Sequence, residues 1–577
     1  MTAGGMNAER LLSLYERIAD APDAVGRLRG FVLDLAVRGK LVPQDSQDAS
    51  AANLLTEGDS IRRVATNKYR GKARIASAIS DAERPFHPPQ SWMFVRLGEI
   101  LEMTNGRAFK PTEWVPSGLP IVRIQNLNNR NAPFNYCDAS TVAERHLIGD
   151  GEFLLSWSGT PGTSFGAFIW DRGTAALNQH IFRCKQLGCA FSPFFLRLAI
   201  NSQLDVLIGL AQGGVGLQHV TKGTLEALLL PLPPLAEQHR IVAKVDELMA
   251  LCDWLEAARA QREAARDKLA AASLARLNTP DPDPTTFAHH ARFALDTLPA
   301  LTTRPDQIKQ LRQTILNLAV RGKLVAQDPR DEPAAALLKR ITFESSRKRH
   351  AITSVEQDAE PYPVPKSWEW SALGYLITAG PQNGISPKAT TRTEAPKAIT
   401  LTATTSGTFN PIHFKHVEAS IPKDSDFWLT DGDLLFQRGN TREYVGIAAI
   451  YQGRPNTFLF PDLIMRVRVS PCLDLRFIHL ASVSPSARAF FSANASGAQA
   501  TMPKINQATL VSLPIPLPPL AEQHRIVAKV DELMNLCDRL EANLGTADAS
   551  RRRLLDALLH EALNPVSTER AAEAENA

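Results

Sequence analysis

Two sets of polar side chains stand out for the hydrogen bonds they could make. The first gathers Arg107, Lys110, Arg123, Gln125, Asn126, Asn128, Asn129 and Arg130, then Ser158 within SWSGTPGTS (156–164), then Asn178, Gln179, His180 and Gln218. The second gathers Gln382, Asn383, Lys388 and Arg392, then Arg438, Asn440 and Arg442 within QRGNTR (437–442), then Lys504 and Asn506. Arg, Asn and Gln carry paired donors and acceptors that match base edges in a duplex major groove, Arg suiting guanine and Asn or Gln adenine. Lys and the remaining Arg would neutralise phosphates. Taken singly, each of these residues reads as an ordinary turn polar group; taken as a set, they suit a nucleic acid.

Bond-making chemistry has no comparable signal. There is no GxxxxGK[ST] phosphate loop, no NPPY or DPPF tetrapeptide, and no Ser-His-Asp or metal-ligand spacing. Gly213-Gly214-Val215-Gly216 follows no strand pattern and is expected to be a loop, not a cofactor cradle. Asp246-Glu247 and Asp531-Glu532 are adjacent on helical patterns, so their carboxylates point to different faces. The six cysteines form no CxxC pair, and Cys252 and Cys537 hold apolar helix positions. A net charge of +4 neither requires nor opposes a nucleic-acid partner. No run of about 18 apolar residues suggests a membrane span, so a cytoplasmic location is expected.

The elements that must position the polar sets are written twice. PPLAEQHRIVAKVDELM occupies 233–249 and returns unchanged at 518–534; LAVRGKLV occupies 35–42 and 318–325. Between each upstream and downstream copy lies a long segment, and the two segments barely resemble one another. A frame kept twice around two unlike fillings implies two like docking surfaces and two different ligands. The expected order is an N-terminal helical region (1–82), a first variable domain (83–232), a long helix (233–278) and an exposed linker (279–302). A second helical region (303–359), a second variable domain (360–517), a long helix (518–564) and a tail (565–577) complete it. The variable domains open on matching cues, PPQSW with Leu97-Gly98 and PKSW with Leu373-Gly374. Their short apolar runs, bounded by Gly, Pro, Asn and Asp, read as strands of mixed α/β domains. The fold class is α+β with a pseudo-twofold internal repeat.

In the long helices, Ile241, Val245, Leu248, Cys252 and Leu255, and likewise Ile526, Val530, Leu533, Cys537 and Leu540, step by 4, 3, 4, 3. That is a heptad seam. The two helices pair most economically with each other; packing of each on its own half is the alternative. A basic segment precedes each variable domain (Arg62, Arg63, Lys68, Arg70, Lys72, Arg74; Lys339, Arg340, Arg347, Lys348, Arg349), readable as a phosphate-facing strip or as a solvated helix.

PLPPLAEQHRIV (231–242 and 516–527), LAVRGKLV, the Trp-then-Leu-Gly openings, SWSGTPGT and NQHI resemble the specificity subunits of type I restriction–modification enzymes over nearly the whole chain. The resemblance implies two target-recognition domains joined by an antiparallel coiled coil, each reading one part of a split, asymmetric DNA sequence; a rigid helical spacer of the expected length would then hold the half-sites about one duplex turn apart. It implies no catalytic residue, metal or cofactor in this chain. Two methyltransferase subunits would dock on the repeated helices and use S-adenosylmethionine; restriction subunits would bring ATP and magnesium. The alternatives are a protein-binding coiled-coil scaffold and a self-contained DNA-modifying enzyme.

Overall fold

The computed structural model describes residues 20–55, 79–159, 165–209, 212–214, 217–278, 284–344, 360–496 and 502–563. Five helices frame it: α1 (Ala24–Val37), α2 (Leu235–Asn278), α3 (Pro284–Leu301), α4 (Pro305–Val320) and α5 (Leu520–Leu563). LAVRGKLV closes α1 and α4 because each needs a left-handed residue after its last turn. Gly39 (φ 69°) and Gly322 (φ 66°) supply it. A Cβ at these glycines would lie 2.5 Å from Pro89 and 2.4 Å from Pro365. The glycine of one motif is therefore the seat of the proline and tryptophan that open the variable domain. Pro233-Pro234 and Pro518-Pro519 stand before α2 and α5, whose 44 residues each span about 66 Å.

AEQHR explains its own duplication. Glu237 is buried, accepts the indole N–H of Trp92 at 2.9 Å, and accepts Gln44 Nε2 at 2.5 Å. Glu522 does the same with Trp368 (3.0 Å) and Gln327 (2.6 Å). Ser91 and Ser367 hydroxyls hold the two glutamines in turn. Beside them Arg240 pairs with Asp48 and Arg525 with Asp331, both at 2.6 Å. Gln238 donates to Pro233 O and Ala190 O and accepts Ser192 N; Gln523 donates to Pro518 O and accepts Asp474 N. Each copy thus ties long helix, first helix and variable domain at one node.

The chain divides into two units, 1–261 with 548–577, and 262–547. In the first, the last turns of α5 run along α1: Leu555, Leu558 and Leu559 pack on Ala21, Ala24, Leu28 and Phe31, Arg27 pairs with Asp556, and Lys40 donates to Leu563 O. Early α2 runs the opposite way on α1, with Arg29 bridging Asp253 and Glu256. The second unit repeats this plan. The last turns of α2 follow α4, with Arg304 on Glu263 and Asp267 and Asn317 on Asn278, while Arg312 bridges Asp538 and Glu541 of early α5. Start of one long helix and end of the other are therefore antiparallel within a unit, with the short helix as a third member.

The seam residues are shared among these helices and the variable domains. Ile241 and Val245, with Leu248 against them, join a core containing Val32, Ala36, Trp92 and Phe195; Cys252 is buried and Leu255 half-buried. Ile526, Val530 and Cys537, with Leu533 and Leu540, join Ile308, Ile315, Trp368 and Phe477. The segment expected as an exposed linker is largely helical. Phe287, Ala291 and Ala294 of α3 line a cavity of about 370 Å³ with Leu274, Leu277, Leu311 and Leu533; apolar residues among its prolines and histidines give it a face to bury.

Each variable domain is clasped shut by its own ends. Met93–Arg96 pairs antiparallel with Leu229–Leu232, and Glu369–Ala372 with Pro514–Leu517. A four-stranded antiparallel sheet follows in the order Leu101–Asn105, Ile181–Gln186, Phe153–Ser156, Gly166–Ile169. In the second domain the order is Ile377–Asn383, Ile464–Val469, Leu434–Gln437, Ala448–Ile450. A smaller sheet holds Leu119–Val122 and Ala175–Leu177 in parallel, as Lys397–Ile399 and Phe458–Leu459 are in the second.

Two outcomes follow. Trp92→Phe or Trp368→Phe keeps an aromatic ring, though a smaller one, and deprives a buried carboxylate of a donor, and each should cost at least about 1–3 kcal/mol in urea unfolding. Burial already holds both glutamates above the ordinary carboxylate range against the opposing Trp and Gln bonds. The stability this lends is full below the unfolded value and is lost as pH rises through the folded one. Leu555→Ala should cost about 2–5 kcal/mol and raise hydrogen exchange in α1, more than 500 residues away in sequence, and not in α4.

Candidate nucleic-acid interface

The polar sets converge on the same end of each four-stranded sheet. In the first domain, Gly106 N–H donates to Ile181 O (3.0 Å), Arg107 N–H to Leu177 O (2.8 Å) and Asn178 N–H to Val122 O (3.1 Å). These bonds bring Arg107, Arg123 and Asn178 side by side with Gln179 and His180. Trp157 N–H donates to His180 O, Val220 N–H to Trp157 O, and Ser158 pairs with His219. Two donors here, Arg107 Nη1 and Arg123 Nε, are enclosed by protein without a hydrogen-bond partner among the described residues. Arg107 lies over Phe109 at 4.7 Å and Arg123 over Trp114 at 5.8 Å. Glu113, held below its ordinary value first by Lys110 N–H and then by Arg107, pairs with Arg107.

The second domain repeats the backbone and replaces the side chains. Gly384 N–H donates to Ile464 O and Ile385 N–H to Phe460 O; Arg438 N–H donates to Leu463 O, Ile505 N–H to Arg438 O, and Gly439 pairs with Lys504. Trp157 thus corresponds to Arg438, Ser158 to Gly439, His180 to Leu463 and His219 to Lys504. Asn383, Arg438, Asn440 and Lys504 share this sheet end. Gln382 beside them accepts from the buried Arg466, which also faces Asp433. Arg438, Arg442 and Lys504 form no ion pair among the described residues, so their charge is not spent internally.

Several expected readers are occupied otherwise. Asn126 is fully buried: its Oδ1 caps Arg123 N–H and its Nδ2 donates to Ala132 and Pro133 carbonyls, so it positions Arg123 and is not a contact residue. Arg130 pairs with Asp171, Gln125 leans on Pro133 O, and Asn506 caps Thr509 N–H. Lys110, Asn128, Asn129, Lys388 and Arg392 have exposed side chains, and Lys110 reaches the network only through its backbone N–H on Glu113. The side chain of Gln218, residues 160–164, and the basic positions 62–74 and 347–349 lie outside the described residues. Lys339 and Arg340 are exposed on a helix, and Arg340 pairs with Glu332.

Sequence reasoning included Trp157 and Gln437 only as members of the runs SWSGTPGTS and QRGNTR, and passed over Gly106 and Gly384. Asn105-Gly106 and Asn383-Gly384 were the available signal, the same dipeptide at the same strand end. Among the described residues no three His, Cys, Asp or Glu side chains are grouped to hold a metal, and no helix is long and apolar enough to cross a membrane.

Two recognition-sized domains on a duplicated helical frame define a class, and comparison with known families gives it a name. The chain belongs to the type I restriction modification DNA specificity domain family, whose model matches residues 89–262 and 365–546. It is 28% identical over 572 residues to the type I restriction enzyme EcoEI specificity subunit of Escherichia coli, covering 94% of each chain. The EcoAI specificity subunit of the same species is 28% identical over 574 residues, again covering 94% of each. A crystal structure of the HsdS subunit from Thermoanaerobacter tengcongensis is similar at 19% identity and a TM-score of 0.40, over 84% of this chain and 99% of that one.

A Cβ at Gly106 would lie 2.2 Å from Asn178 O, and one at Gly384 2.0 Å from Phe460 O, both backbone atoms that cannot swing aside. Gly106→Ala and Gly384→Ala should each destabilise by about 1–3 kcal/mol, seen as a lower urea midpoint. An unchanged midpoint would mean that the strand end is not clamped as described.

Proposed function

We propose that the chain is the DNA-sequence-specificity subunit of a type I restriction–modification complex and performs no bond chemistry itself. Each variable domain recognises one part of a bipartite, asymmetric target. The observation that carries this reading is the replaced content of a repeated scaffold. The same hydrogen-bonded sheet end holds Trp157, Ser158 and His180 in one domain and Arg438, Gly439 and Leu463 in the other.

The duplicated frame supports a further part of the reading. Identical PPLAEQHRIVAKVDELM surfaces suit two copies of one partner, a methyltransferase subunit using S-adenosylmethionine, and through these a restriction subunit using ATP and magnesium. Arg438, Arg442 and Lys504, which form no ion pair among the described residues, would meet phosphates or guanine edges.

The test is to reconstitute the chain with its modification subunit and sequence the methylated bases. A split motif is expected, and exchanging residues 83–232 for another recognition domain should change one half of it alone. An uninterrupted palindrome, or a motif indifferent to the exchange, overturns the assignment.

A further inference from the structure

Two amides at the sheet end of the second domain are locked by groups that allow only one orientation. Gln437 is fully buried, and its Nε2 lies 2.7 Å from Leu401 O, 2.9 Å from Thr404 Oγ1 and 3.1 Å from Thr405 Oγ1. A peptide carbonyl can only accept, so the nitrogen of Gln437 must face Leu401 and its Oε1 must point away. That oxygen accepts Asn440 Nδ2 at 2.6 Å. At the other end, Thr441 N–H, which can only donate, reaches Asn440 Oδ1 at 2.7 Å. The amide of Asn440 therefore cannot flip without setting oxygen against oxygen and N–H against N–H. Its backbone is held too, by Asn440 N–H on Pro503 O at 3.3 Å.

The half-buried Asn440 keeps one N–H on Nδ2 and one lone pair on Oδ1, side by side and in known order. Adenine offers the complement in the major groove, N7 accepting and the N6 amino group donating; guanine offers two acceptors there. We infer that Asn440 is an adenine-reading residue of the second recognition domain and that Gln437 is its positioning residue. Among the described residues the first domain has no equivalent at the matching positions. Its matching run is Ser156-Trp157-Ser158-Gly159, with serine in place of Gln437 and glycine in place of Asn440, so the device serves one half of the target only. This inference rests on the DNA-reading assignment made above.

The test uses the full chain reconstituted with its modification subunit, with duplexes carrying each base in turn at every position of the half-site assigned to residues 360–517. Asn440→Asp keeps the shape but turns the donor into an acceptor. It should cut the preference for adenine at one position by about tenfold or more, within the discrimination a bidentate pair provides. Gln437→Leu releases the amide and should lower the same preference several-fold while affinity for mismatched duplex stays level. Both variants should leave the preference at the other half-site unchanged; Asn440→Asp, which sets a carboxylate oxygen against Gln437 Oε1, should lower the thermal midpoint somewhat. An unaltered adenine preference in Asn440→Asp overturns the inference, as does an equal loss for all four bases, which would mark a backbone contact. If Gln437→Leu fails to fold, Asn440→Asp decides alone. A parallel exchange of residues 83–232 isolates the broader assignment: if that exchange leaves the motif unchanged, the DNA-reading assignment has failed, and not merely the role of Asn440.

Discussion

A buried carboxylate taking an indole N–H and an amide N–H is the constraint from which the remaining architecture follows. Glu237 and Glu522 are almost wholly enclosed, and a carboxyl so enclosed is tolerable only with its donors in place. Those donors come from two other parts of the chain, the tryptophan that opens the variable domain and the glutamine that follows the first helix. Long helix, short helix and variable domain are therefore fixed to one another by a single polar node. The adjoining Gln238 and Gln523 extend it to the backbone that leads into and out of the domain. The duplicated AEQHR is the sequence trace of this node.

The long helices add a second constraint. Within the first unit the last turns of α5 pack on α1, and within the second the last turns of α2 pack on α4. Matching ion pairs mark the joints, Arg29 with Asp253 and Glu256 and Arg312 with Asp538 and Glu541. These are partly exposed and contribute little energy; the apolar burial of Leu555, Leu558 and Leu559 contributes more. Their worth lies in register, since a helix shifted by one turn would lose both partners.

Constancy of frame and variety of content have a common physical basis. The sheet-end positions are held by backbone N–H to carbonyl bonds, which any side chain permits, and by Gly106 and Gly384, where a Cβ would meet backbone oxygen. Side chains at Trp157 and Arg438, or at His180 and Leu463, can then differ without disturbing the scaffold. A recognition element needs this separation, because its contacts must change while its attachment does not.

The sequence by itself determined the repeat, the long helices and the heptad stripe, since each is a periodic or repeated signal carried by local chemistry; the strand pairs that clasp each variable domain came only with the structure. It also named Arg107, Arg123, Asn178, Arg438, Asn440 and Lys504. It did not tell these from Asn126 or Asn506, whose amides are consumed capping a turn and a helix. Residue type is the same in both cases; only the position of a neighbouring N–H decides whether an amide faces a ligand or its own backbone. The helix α3, read as a linker, and the third helix at each seam were likewise decided by tertiary packing. An apolar stripe declares that it will be buried, but which surface buries it depends on how segments hundreds of residues apart are brought together.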